Sequence, residues 1–172
     1  MRRIFVSLAV ANFLVLLMTA ATGIAVLGRW IPSGNHVPLA VLSAILTCFI
    51  QVLAFTYLTV TAKIIGQAVH LGGLSVSLID QSKNLKRTFS RCLALLMGIL
   101  LFAVATGAQA WRLNEPSLLH LLAGALVLCG AAGVLWKQSS CMAANESVVK
   151  VALQSYSQRT SRHPARTEHA KG

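Results

Sequence analysis

The stretch IFVSLAVANFLVLLMTAATGIAVL, residues 4–27, decides the class of fold. It runs for 24 residues without an Asp, Glu, Lys or Arg. A bilayer core of about 30 Å is crossed by about 20 apolar residues wound as an α-helix. A helix apolar on every side has no face to offer water and must lie in lipid or deep in protein. Three further runs follow at 37–62, 92–111 and 118–136, again without a charged side chain. Gly28, Pro32, Gly34 and Pro38 punctuate the first connection, and Pro116 stands just before the fourth run, as expected near a helix start.

Composition points the same way. Hydrophobic types make up 56 % of the 172 residues and charged types 11 %, against about 25 % charged in soluble domains. So few charges cannot cover a soluble globule. The expected fold is all-α: a polytopic membrane protein with four transmembrane helices in an antiparallel bundle. A single domain spans residues 1–156, and residues 157–172 form a disordered basic tail. The first run is too long for the apolar region of a signal peptide, about 7–15 residues, and is read as a retained anchor.

The basic residues set the expected orientation. With the N-terminus inside, Arg2, Arg3, Lys63, Lys83, Lys86, Arg87, Arg91, Lys137, Lys150, Arg159, Arg162, Arg166 and Lys171 all fall inside, and only Arg29 and Arg112 fall outside. Thirteen against two is a strong positive-inside bias. Both termini are therefore expected in the cytoplasm, and the short loops suit a bacterial inner membrane. Trp30 and Trp111 mark the outer boundary and Trp136 the inner one. The net charge of +11 then reflects topology and attraction to anionic inner-leaflet lipids. Nucleic acid is not an expected partner, because aromatic residues do not interleave the basic tail.

Small residues at helical spacing allow helices to approach in lipid. Ala125, Cys129 and Gly133 form such a ridge, as do Ala40, Ala44 and Cys48, and the pairs Ala94 with Gly98 and Ala103 with Gly107. These faces serve the helical packing, a membrane protein partner or a homo-oligomer. The second run continues out of the membrane to Gly72 and Gly73, Asn84 to Arg91 lead into the third helix, and the fourth continues to about Tyr156. No internal repeat stands out.

No Asp or Glu lies in any run, which argues against a carboxylate-coupled pump. Nucleotide-binding glycine motifs and zinc-hydrolase motifs are absent from the sequence, and no catalytic constellation is found. The expectation is a structural or accessory membrane subunit, not an enzyme, with no cofactor required. Two alternatives rest on particular residues. His36 and His120 lie on one side of the membrane by this topology, and a histidine pair from different helices can ligate haem iron axially. That alternative is a membrane electron carrier. Thr56, Thr59, Lys63, Gln67 and His70 share a face of the second helix. With Lys86, Arg87 and Asn145 they would form a basic inner pocket for an anionic headgroup, in a small permease or lipid-binding protein. Asn12 and Gln51 are amides within the membrane whose default role is bonding between helices, and Tyr57 needs a partner for its hydroxyl.

Overall fold

A computed structural model describes residues 2–72, 74–113 and 117–162. All regular structure among them is helical. Helix α1 spans Arg2–Leu27, α2 His36–Gly72, α3 Ser77–Leu113 and α4 Leu118–Arg162, with a 3-10 turn at Ser33–Asn35. All four α-helices are long and apolar enough to cross a membrane. Large apolar side chains such as Ile45, Val52, Leu101 and Leu126 stand exposed along their outer faces. Such surfaces suit lipid and not water.

The helices are longer than the apolar runs. Helix α2 ends at Gly72, where glycine was expected to stop it. Helix α3 starts at Ser77, well before Cys92, so the expected inner loop is almost wholly helical. The segment from Ser77 to Arg91 contains neither Gly nor Pro, and Leu78, Leu85 and Phe89 give it an apolar stripe to pack. Helix α4 likewise continues past Tyr156 to Arg162, six residues into the expected disordered tail. The next breaker is Pro164, which disfavours helix at the residue before it. The remainder of the tail, 163–172, lies outside the described residues.

Helix α1 packs against α2 and α4, α3 packs against α2 and α4, and α2 also meets α4. Towards the α1 N-terminus the interior holds Phe5, Ala9, Ile50, Ala54, Leu58, Phe89, Cys141 and Met142. Leu16, Leu96, Leu100, Ala123, Val127 and Ala131 fill a second layer. A third, of Ile65, Val69, Leu74, Val148 and Ala152, joins the extensions of α2 and α4. Helix α1 closes with a Schellman motif: Trp30 N–H donates to the Ala25 carbonyl and Arg29 N–H to that of Val26, both at 2.9 Å. Arg29 occupies the left-handed position at φ 58°, where glycine is usual.

Candidate functional site

The two histidines singled out by the sequence meet. His36 opens α2 behind the turn at Ser33–Asn35. His120 sits in the first turn of α4, where its N–H donates to Ser117 Oγ at 3.4 Å, in the manner of a helix cap. Their ring centroids lie 6.0 Å apart with the planes inclined at 70°.

Hydrogen-bond partners surround one nitrogen of each ring. The Thr22 hydroxyl donates to the Thr19 carbonyl at 2.9 Å and lies 3.0 Å from His36 Nδ1, and the Thr19 carbonyl also bonds the His36 ring. His120 Nδ1 lies 3.2 Å from the Ala103 carbonyl, which can only accept. It also lies 3.4 Å from Thr106 Oγ1, whose own proton points to the carbonyls of Phe102 and Ala103 at 3.1 and 3.0 Å. The Ala103 carbonyl fits a proton on Nδ1 of a neutral His120, and the partners of His36 Nδ1 admit the same form, which leaves Nε2 with the lone pair. Histidines that bind metal are oriented in this way, with the second nitrogen donating to a fixed acceptor.

A glycine follows each threonine and gives the ring its room. A Cβ on Gly23 would lie 3.3 Å from His36 Cε1, and one on Gly107 only 2.7 Å from His120 Cε1. Thr22, Gly23 and Thr106 are site residues that sequence reasoning passed over, and Gly107 was read only as part of a packing face with Ala103.

A signal for them was present. Ala21-Thr22-Gly23, Pro32-Ser33 and His36 recur as Ala105-Thr106-Gly107, Pro116-Ser117 and His120, with identical spacing. Fourteen positions separate each threonine from its histidine. At the same offset, Arg3, Phe5, Leu16 and Leu17 match Arg87, Phe89, Leu100 and Leu101. Burial follows this offset even where identity is lost. Ser43 and Val127, Thr47 and Ala131, Ile50 and Val134, Leu58 and Met142, and Thr61 and Asn145 are all buried. The chain thus contains an internal repeat, α1–α2 against α3–α4, contrary to the sequence expectation. Apolar residues exchange freely along lipid-facing helices, and the few matching positions are scattered among them.

The other expected constellation is not brought together. Thr56, Thr59, Lys63, Gln67 and His70 do share a face of α2, but that face is exposed. The interior face carries Ala54, Leu58, Thr61, Ile65 and Val69. Asn145 is buried on that inner side and donates to Thr61 Oγ1 at 3.0 Å, away from Lys63. Lys86 places its ammonium 5.2 Å from the centre of the Phe55 ring, and Arg87 is exposed.

Both membrane amides find partners on other helices. Asn12 donates to Thr47 Oγ1 at 3.0 Å. Gln51 and Gln138 exchange two amide bonds of 3.1 and 2.7 Å, with both side chains buried. Gln138 lies just beyond the fourth apolar run and was not singled out. The Tyr57 hydroxyl lies beside Asn145. Among the described residues, no group of three or more His, Cys, Asp or Glu could hold a metal ion.

Comparison with known proteins returns no matching family model, no matching curated protein and no matching solved structure.

Proposed function

We propose that the protein binds haem between His36 and His120 and carries single electrons in the membrane as the ferric–ferrous couple. The observation that carries this reading is the pair of imidazoles brought together from α2 and α4, with polar partners at Nδ1 of each ring. His36 and His120 would hold the haem iron, which would supply the one-electron chemistry; their ring centroids lie 6.0 Å apart, and two imidazoles sharing one metal would stand roughly 6 Å apart. The 70° inclination is compatible with this, since a ring can turn about its metal–nitrogen bond without losing it. Haem suits the site better than a bare ion. The porphyrin supplies the equatorial nitrogens, so two protein ligands suffice. A bare ion would need further side-chain ligands, and the described residues offer no such group.

The membrane setting belongs to the same proposal. The four helices form an antiparallel bundle with both termini in the cytoplasm, as the thirteen-to-two distribution of basic residues supports. In a bacterial inner membrane the histidine pair then lies towards the outer face. The basic inner ends meet anionic lipid.

The test is the absorption spectrum of the full chain, purified in mild detergent with and without added haemin. The expected result is a Soret band with haem equimolar to the chain, lost in His36→Ala and in His120→Ala. Colourless protein that takes up no haemin overturns the proposal. A stoichiometric partner protein in that colourless preparation would turn the assignment to an accessory subunit.

A further inference from the structure

We propose that Thr22 and Thr106 are positioning residues that favour the Nδ1–H form of both imidazoles and so leave the two Nε2 lone pairs for a ligand. The inference rests on His36 and His120 being a ligand pair, and it adds residues that act only through them.

A free neutral imidazole exchanges its proton between two nitrogens, and a ligand needs Nε2 bare. Here the choice is made by the first helix of each half. The hydroxyls of Thr22 and Thr106 spend their own protons on carbonyls one turn back. With its proton on a carbonyl, each oxygen is free to accept from Nδ1–H. Moving a ring proton to Nε2 would set the Nδ1 lone pair against that oxygen. At His120 it would also face the Ala103 carbonyl at 3.2 Å. The glycine after each threonine lets the ring lie against the helix backbone, which brings Nδ1 within reach.

The repeat gives the argument independent weight. The Thr-Gly step and the histidine recur at the same spacing in both halves. Both copies make the Thr-to-Nδ1 contact, at 3.0 and 3.4 Å. Most other interior positions of α2 and α4 have diverged, as with Ser43 against Val127 or Thr47 against Ala131. What the two halves share is the means of holding a histidine. The halves are not equal, however. Thr22 makes the shorter contact, and each ring also has a carbonyl beside it, that of Thr19 at His36 and that of Ala103 at His120. The effect of removing the hydroxyl should therefore follow the contact length and be larger in the first half.

The experiment reads the ring nitrogens directly. The full chain, labelled with 15N-histidine and held in detergent micelles without haem, is examined by NMR, whose nitrogen shifts identify the protonated atom. The Nδ1–H form is expected for both His36 and His120. Thr22→Val should lower the ratio of Nδ1–H to Nε2–H at His36 about fivefold, the loss of one ordinary hydrogen bond. Thr22→Ser should restore it, and Thr106→Val should change His120 less. A wild-type protein with mainly Nε2–H rings overturns the inference, as does a Thr22→Val ratio equal to wild type. Haem addition to the same samples separates the two proposals. Rings in the Nδ1–H form that bind no haem remove the haem assignment and leave the threonine role standing. A haem-binding protein with an unmoved ratio in Thr22→Val does the reverse.

Discussion

Replacing Gln138 by Leu tests how the helices are held together. Gln51 and Gln138 are 1 % and 0 % exposed, and each donates to the other, at 3.1 and 2.7 Å. Hydrogen bonds between helices in a membrane are worth about 0.6 to 1.7 kcal/mol each. Gln138→Leu removes both, about 1 to 3 kcal/mol. It also strands the Gln51 amide in an apolar interior, a penalty of about 1 to 3 kcal/mol in its own right. The single variant should therefore lose about 2 to 6 kcal/mol, and Gln51→Leu a similar amount. The position matching Gln51 in the second half of the repeat is Leu135, so leucine is a residue this helical step already uses. The double variant strands nothing and should lie much closer to wild type, within about 1 kcal/mol. The assay is unfolding in mixed micelles with increasing dodecyl sulfate, followed by far-UV circular dichroism. A double-mutant cycle then isolates the pair. A double variant whose loss equals the sum of the two singles would refute the reciprocal bond.

Other positions give graded outcomes. Gly107→Ala places a Cβ 2.7 Å from His120 Cε1, against 3.3 Å for Gly23→Ala and His36; the first should displace its ring at a loss of about 1 to 3 kcal/mol and lower haem occupancy, while the second changes both less. Equal effects on the micelle unfolding curve and the Soret band would contradict that order. Asn145→Leu should lose about 1 to 2 kcal/mol, because the Tyr57 hydroxyl loses its neighbour while the Thr61 hydroxyl still reaches the Tyr57 and Leu58 carbonyls at 3.0 and 3.1 Å; a loss at the upper end of the Gln138→Leu range in the same assay would show that Thr61 depends on the amide. Arg29→Gly should stabilise the chain by about 1 kcal/mol by removing a side chain from the left-handed position at φ 58°, and a lower unfolding midpoint would count against the Schellman ending. Lys63→Ala, on the exposed face of α2, should change stability by less than about 0.5 kcal/mol, whereas a larger loss would place Lys63 in a contact.

The four membrane-length helices were legible from residues 4–27 and the three runs after it, because length and hydropathy are local properties of a chain. The rare polar residues within or beside those runs were equally legible, since a polar group in lipid demands a partner: His36, His120, Asn12 and Gln51 all proved to have one. Which partner it was lay beyond local pattern. A lipid-facing helix is apolar all round, so periodicity does not distinguish its inner face from its outer one. For that reason the polar stripe from Thr56 to His70 read as the wall of a pocket, while packing turned it outward and put Thr61 and Asn145 inside. Gln138 was overlooked because it follows Trp136 at the edge of its run, yet the length of α4 carries it to the level of Gln51. The repeat was written in the sequence at Thr22-Gly23 and Thr106-Gly107, but short polar words among interchangeable apolar letters carry little weight alone. Tertiary structure gave them weight by placing both threonines on histidines, and it alone decided that those histidines meet. Their meeting depends on how α2 and α4 pack, which no property of either helix by itself contains.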